Sequence, residues 1–434
     1  MLGGKGRIIY ICIMKKIRNF ICLVLVFLAG IAYGQDSYRS AGNHHTYIVP
    51  EFKATKAPAG YKPFYVSHYG RHGSRYHIGT SAYARVLPQL DSLHERGLLT
   101  AGGEDMRGIV KWMMDAQEGT EGILTQVGSL EHQGIGRRLY EHYPAIFKQK
   151  DRQVVVCIAS SVQRCIQSMA NFCLPLNSEA PDLDIRMFTG QKYFSLLAHP
   201  FDRTEFYRTI DAVTDSLVHE LIDPEITGKK FFTDVRLASD VIKGQDIPTL
   251  IYNIFALSNI AKCFESDAPD PLKYFSDGEL EALGRIFNVE NCCLYANSFE
   301  NGGLPAEIAG KPVLKDIVDK ADAAVAGNDK CADLRFGHDS GIGPVLALIK
   351  VEGYDKFPHL ADSFDVWPAW KYLPMGSNLQ LIFYHNRKGD VLVKILRNEE
   401  ETTIPAVPPF YGPYYRWSDL RAYFISILGD FRNN

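Results

Sequence analysis

Short apolar runs alternate along this chain with longer stretches of helical spacing, and the two kinds sort into three blocks. In the first block Phe64-Tyr65-Val66-Ser67-His68 reads as a buried strand ending at Gly70, and Val154-Val155-Val156-Cys157-Ile158 as a second one. Between them Met106, Ile109, Val110, Met113 and Met114 recur at helical intervals over Glu104 to Gln117. Leu130 to His142 predicts another helix, stopped by Pro144. A helical pattern through Met169 and Phe172 follows the second strand. The middle block is helical, with Phe206, Ile210, Val213, Leu217 and Leu221 on one face, Leu250, Ile251, Ile254 and Leu257 on another, and a further segment from Glu279 to Phe287. Strand character returns at Leu334-Arg335-Phe336, ahead of a helix over Gly343 to Lys350. Leu379 to Tyr384 and Val391 to Leu396 flank Asn386-Arg387-Lys388-Gly389-Asp390, a β-hairpin pattern. This order predicts an α/β fold: a central, mostly parallel sheet flanked by helices, with an inserted helical cap domain. Residues 61–175 and 330–434 then form the core and 176–329 the cap. Residues 35–60, polar and punctuated by Pro and Gly, predict an extended N-terminal arm, with His44-His45 as ordinary arm sequence.

The first 34 residues carry a different signal. Lys15, Lys16 and Arg18 precede an apolar run from Ile21 to Ala32, and Ala32-Tyr33-Gly34 supplies small residues for cleavage, which predicts a signal peptide and export to the periplasm or the medium. The run is too short for a comfortable transmembrane helix, so no membrane attachment is expected after cleavage. Loss of Lys5, Arg7, Lys15, Lys16 and Arg18, with no acid among those residues, makes the remaining chain more acidic than the net −3 of the whole. An acidic surface argues against nucleic acid as a partner. Apolar content of 46% is that of a globular protein. Of nine cysteines, Cys12 and Cys22 fall in the leader. The other seven have no zinc-ligand spacing, and export permits disulfides among them, with at least one thiol left over.

Against that acidic background Tyr69-Gly70-Arg71-His72-Gly73-Ser74-Arg75 stands out, an imidazole between two guanidinium groups in a strand-to-helix loop. Two fixed positive charges beside a histidine suit a dianion that the imidazole attacks. Guanidinium forks match phosphate oxygens, and histidine serves as a covalent nucleophile. Two more loops follow apolar strands and precede helices, one carrying Arg164 and one carrying His338-Asp339. In open α/β sheets such loops gather at the carboxyl ends of the strands, where ligands bind. The expected site holds Arg71, Arg75, Arg164 and His338 around a phosphate, His72 below it and Asp339 at its edge. His68, His72 and His77 cross a strand and a glycine turn rather than one helix face, so shared metal ligation is not expected.

Arg71-His72-Gly73-Ser74-Arg75 with the later His338-Asp339 resembles the histidine acid phosphatases, clade-2 members of the histidine phosphatase superfamily. Leu124-Thr125-Gln126-Val127-Gly128 is similar to that family's LTxxG segment, Ser160 to Ser168 to its SxxxRxxxS segment, and Asn378 to Asn398 to its late hairpin. The resemblance spans residues 62 to about 400. It implies that His72 is the nucleophile of a phosphohistidine intermediate and that Asp339 protonates the leaving alkoxide. Arg71, Arg75, Arg164 and His338 then clamp the phosphoryl oxygens without metal or other cofactor, and the partner is a small-molecule phosphate ester. Ser160-Ser161 before Arg164 and Cys263-Phe264-Glu265 resemble the multiple inositol polyphosphate phosphatases, which points to inositol polyphosphates such as phytate. Two departures qualify that branch. His338-Asp339-Ser340 stands where it usually has His-Ala-Glu, an arrangement shared with bacterial phytases and glucose-phosphatases. His77 replaces the family's usual proline, as an extra substrate contact or as a simple loop replacement. A broad acid or sugar-phosphate phosphatase, and a phosphate-ligand binding protein that has lost catalysis, are the alternatives. Oligomeric state is not legible in the sequence.

Overall fold

The first apolar run folds as strand β1, Lys62–Arg71, which is buried on both faces from Phe64 onward. Such two-sided burial belongs to the middle of a sheet covered by helices. The structure, a computed structural model, describes residues 38–198, 202–265 and 267–431; the expected signal peptide and its cleavage point lie outside them. The further strands are β2 (Val154–Ala159), β3 (Asp184–Thr189), β4 (Lys330–Gly337), β5 (Asn378–His385), β6 (Val391–Arg397), β7 (Glu400–Glu401) and β8 (Tyr414–Arg416). Their order is β3-β2-β4-β1-β5-β6-β7, with β8 also on β6. The first four run parallel and the rest pair antiparallel. The α/β expectation holds, and the sheet is mixed: its parallel half carries the site loops, and its antiparallel half is built on the hairpin read from Asn386 to Asp390.

The α-helices of ten or more residues are α1 (Ser81–Glu95), α2 (Ala101–Ala116), α3 (Gln126–His142), α4 (Gln163–Glu179), α5 (Thr204–Leu221), α6 (Ile247–Ser258), α7 (Asp277–Tyr295), α8 (Lys311–Val325), α9 (Asp339–Leu348) and α10 (Trp417–Leu428). Alternation along the strands splits the core in two. Val66, Leu334 and Phe336 pack with Ile135 of α3 and Met169 and Phe172 of α4, whereas Tyr65 and Tyr69 face the other side. There they join Val345 of α9 and a continuous apolar cluster that runs into Leu250 and Ile254 of α6 and Ile286 of α7. The helical middle thus shares its core with one face of the sheet.

Several elements differ from the sequence reading. Residues 39–44 form a 3-10 helix rather than an extended arm, and Ser40, Ala41, Gly42 and Asn43 are buried, packed chiefly against α7. Strand β3 lies inside the 176–329 span yet extends the sheet beside β2. Pro144 does not simply stop a helix but opens the short helix Pro144–Phe147, where its missing N–H costs nothing. Helix α9 starts at Asp339, four residues before the glycine that was read as its beginning. The seven cysteines among the described residues are all buried free thiols, so the disulfides that export would permit are not formed among them.

Candidate active site

Strand register brings the three loops together. Arg71 of β1 pairs with Gly337 of β4, and Ala159 of β2 pairs with Phe336. The chain leaves all three strands at one level, with the His72 N–H donating to Gly337 O (2.9 Å) and the Ser160 N–H to Phe336 O (3.1 Å). Above these ends lies a pocket of about 460 Å³, a size that suits a small ligand. His72, Arg75, Arg164, His338 and Asp339 line it.

The histidine loop is held by close packing and a buried carboxylate. A Cβ on Gly73 would stand 2.7 Å from Gly128 O, and one on Gly128 would stand 2.2 Å from Ser74 O, so only glycine lets the loop meet the first turn of α3. Glu131 of α3 accepts from the Ser74 N–H and hydroxyl (both 2.7 Å) and from the Tyr47 N–H (2.8 Å). The Gly73 N–H donates to Ser168 Oγ (3.2 Å), and Thr125 Oγ1 donates to Cys263 O (2.5 Å). The LTxxG and SxxxRxxxS resemblances therefore have a physical content: Thr125, Gly128 and Ser168 all brace the loop that carries His72. Phe264 packs edge-on against Tyr76, whose hydroxyl donates to Glu265 (3.2 Å), so the Cys263-Phe264-Glu265 segment braces it from the cap side.

His72 is buried, and its Nδ1 lies 2.9 Å from Gly73 O. A carbonyl only accepts, so Nδ1 carries the proton and Nε2 keeps its lone pair. Burial, followed by the positive charges of Arg164, Arg71 and Arg75, holds its pKa well below that of an ordinary imidazole. The ring is therefore neutral, the state a nucleophile needs. His338 Nδ1 is 3.3 Å from Arg164 Nη2, which can only donate, leaving Nε2–H to donate to Ser160 Oγ (3.0 Å). Burial and Arg164 push its pKa down to about 3. His338 thus orients Arg164 as a neutral ring. The two imidazoles stand 5.5 Å apart, edge to face.

Arg71 is fully buried. Its Nη1 donates to Asn43 O (2.7 Å) and Leu373 O (2.8 Å), and its Nη2 lies 2.9 Å from Asp339 Oδ2. Arg75 Nη1 donates to Tyr76 O (3.0 Å). Three buried guanidinium nitrogens, Nε of Arg71, Arg75 and Arg164, have no hydrogen-bond acceptor among the described residues. Buried donors are rarely left so. Burial opposes the charge on Asp339, but Arg71, His338, Arg75 and Arg164 together outweigh it and hold the carboxyl below its usual range. Asp339 is the first residue of α9 rather than its cap, which is His338.

His77 turns away from the pocket. Its Nε2 lies 2.8 Å from Leu257 O at the end of α6, and burial takes its pKa to about 4. The loop-replacement reading fits this geometry, and the substrate-contact reading does not. His68 points to the opposite face of β1, against Phe172 and Phe336, so His68, His72 and His77 diverge. Several pocket residues were missed. Asn43 and His44 come from the segment read as an arm, with Asn43 Nδ2 3.3 Å from Asp339 Oδ2. Glu290, Asn291 and Tyr295 come from α7, and Arg203 and Tyr207 from the start of α5. Only their helical phase could have flagged them, and phase alone does not separate a pocket wall from a solvated face.

In sequence and in fold the chain is similar to multiple inositol polyphosphate phosphatases and phytases, the group to which the sequence resemblance pointed. The curated multiple inositol polyphosphate phosphatase 1 of Homo sapiens is 22% identical over 374 residues, 76% of this chain and 73% of that protein. The crystal structure of the Bifidobacterium longum multiple inositol polyphosphate phosphatase in complex with inositol hexasulfate superposes with a TM-score of 0.74 at 18% identity, covering 89% of this chain and 97% of that one. The phytase from D. castellii gives 0.68 at 16% identity, over 91% and 86%. No protein-family model matches the chain. Among the described residues, no helix is long and apolar enough to cross a membrane.

Proposed function

We propose that the chain is an exported, metal-independent phosphomonoesterase that forms a phosphohistidine at His72 and acts on inositol polyphosphates. The observation that carries this reading is the set of three guanidinium groups with unsatisfied N–H donors, Arg75 and Arg164 lining the pocket and Arg71 beneath it, beside a histidine whose free lone pair lies on Nε2. A phosphate dianion answers both: its oxygens accept from Arg71, Arg75 and Arg164, and its phosphorus faces a neutral nucleophile. Nε2 of His72 forms the N–P bond while the P–O bond to the leaving oxygen breaks, and the Asp339 carboxyl gives that oxygen its proton. A water then attacks phosphorus, returns its proton to Asp339 and releases inorganic phosphate and His72. Arginines already placed against the equatorial oxygens stabilise the charge that develops there, which is the usual source of catalysis in phosphoryl transfer. The exported state rests on the leader-like first 34 residues, and the substrate class on the relatives and neighbours that share the fold.

Asp339 needs a proton to act as the acid, yet Arg71 favours its charged form. A bound phosphate competes for Arg71 and places negative charge beside Asp339, and both effects raise its pKa when the proton is needed. Replacing His72 by Ala should abolish hydrolysis of p-nitrophenyl phosphate and inositol hexakisphosphate. It should also remove the acid-quenched radiolabelled phosphate that the unaltered protein carries on that residue. Full activity in the His72→Ala protein, or no labelled enzyme from the parent, would refute the covalent mechanism. His338-Asp339-Ser340 favours a second reading, a phosphatase of sugar phosphates, and relative turnover of inositol hexakisphosphate and glucose 1-phosphate decides between them.

A further inference from the structure

Helix α7 forms the wall of the pocket beside the acid. Phe287, Glu290, Asn291 and Tyr295 all line it, and they share it with Asp339 and Ser340 of α9 and Arg203 and Tyr207 of α5. Their spacing of three, one and four residues is one helical face. Glu290 is the charged member of that face. Its side chain is open to the pocket, and its carboxylate has no hydrogen-bond or ion-pair partner among the described residues. The charged groups around it come from every side: Asp339 of α9 and Asp211 of α5 as acids, Arg203 ahead of α5 and Arg85 of α1 as bases. Surrounding burial and the negative charge of Asp339 raise its pKa, with Arg203 opposing.

The position of Glu290 decides which part of a substrate it meets. The scissile phosphate belongs to Arg71, Arg75 and Arg164, and the leaving oxygen must reach Asp339. The carbon skeleton behind that oxygen therefore lies against the α7 wall. A carboxylate there accepts hydrogen bonds from a hydroxyl group and repels a second phosphate.

We infer that Glu290 is a specificity-determining residue that selects phosphate esters whose leaving group presents free hydroxyl groups to α7, and disfavours esters that present another phosphate there. This rests on the inositol phosphate reading and sharpens it: among inositol phosphates, Glu290 lowers the preference for those that set a second phosphate against α7 relative to those that set a hydroxyl there. Phe287, Tyr207 and Tyr295 line the same pocket, and the two tyrosines carry hydroxyl groups that suit a polyol's polar edge.

The test uses binding rather than turnover, so that it does not depend on the covalent mechanism. Dissociation constants for inositol 1-phosphate and inositol hexakisphosphate are measured by calorimetry on the full chain carrying His72→Ala, alone and with Glu290→Gln or Glu290→Asp. The ratio of the two affinities should move toward the hexakisphosphate by roughly tenfold in Glu290→Gln, because one like-charge contact is relieved. Glu290→Asp, which keeps the charge, should retain the parent ratio. The parent ratio should also depend on salt more steeply than the Gln ratio does. An unchanged ratio in Glu290→Gln, or equal shifts in Gln and Asp, overturns the inference while leaving the inositol phosphate reading in place. Binding of neither ligand by the parent overturns both.

Discussion

At the scale of single residues the site is a set of donors and lone pairs whose states are settled by neighbours. Gly73 O fixes the tautomer of His72, Arg164 fixes that of His338, and Arg71 sets the charge of Asp339. The last has a consequence for catalysis. Asp339→Asn keeps the shape and removes the proton, so kcat/KM on an alkyl phosphate should fall by about 10²–10⁴. An aryl phosphate, whose leaving group needs little protonation, should lose far less; equal losses on the two would remove Asp339 from the acid role. The depressed pKa also gives the pH profile its sign. The acid form exists below the folded pKa, so alkyl phosphatase activity should be highest at acidic pH and decline as pH rises, with the decline missing in Asp339→Asn. Residue identity was largely legible in the sequence. Two arginines beside a histidine in an acidic chain are chemically conspicuous. Asn43 and Glu290 were not, because an amide in a polar segment and a glutamate on a helix are each unremarkable until the fold brings them to the same pocket.

At the scale of elements, what matters is how α3 meets the histidine loop. The glycine contacts predict a specific sensitivity. Gly128→Ala would push a methyl group into Ser74 O and should cost about 1–3 kcal/mol of stability, read as a lower midpoint in denaturant unfolding. Activity should fall by more than the unfolded fraction explains, since relief of that clash moves the residues on either side of Ser74. Helix periodicity located α3 in the sequence but placed its start four residues late, at Leu130 instead of Gln126. The apolar pattern is weak over Gln126 to Ser129, where Thr125 caps the helix and Gly128 provides clearance. The beginning of α9 was missed for the same reason: Asp339, Ser340 and Gly341 precede its first apolar residue, Ile342, and Gly341 lies against Tyr69 with no side chain of its own. Pocket walls and close glycine contacts leave little trace in hydrophobic periodicity.

Across the whole molecule, two buried histidines set a limit on acid tolerance. His68 of β1 and His132 of α3 lie between the sheet and its helical cover, where His68 packs against Phe172 and Phe336 and His132 against Phe336. Burial lowers their pKa values to about 3 and about 4. In the unfolded chain both titrate near 6.5, so the unfolded state takes up protons first as pH falls. Their contribution is complete above about pH 6.5 and is lost progressively toward pH 4 and 3, on the order of a few kcal/mol in all. Melting temperature should therefore drop with acidification, and His132→Leu should flatten that slope; a slope unchanged by the substitution would assign the acid sensitivity elsewhere. Three blocks of pattern were enough to foresee the sheet and the intervening helices. The position of β3 and the burial of residues 39–44 were hidden because both depend on partners far away in sequence.

The engagement of Arg71 shows what that separation means in time. Its guanidinium is held by Asn43 near one end of the chain and by Leu373 and Asp339 toward the other, across 28, 302 and 268 residues. Contacts that close such long loops come late in folding. The helices and the histidine loop with its α3 brace can form from neighbouring chain, but the ion pair that governs the acid cannot. During refolding, helical signal should return before phosphatase activity, and a chain interrupted before Asp339 should show no phosphatase activity. Activity is a report that both distant parts of the chain have arrived.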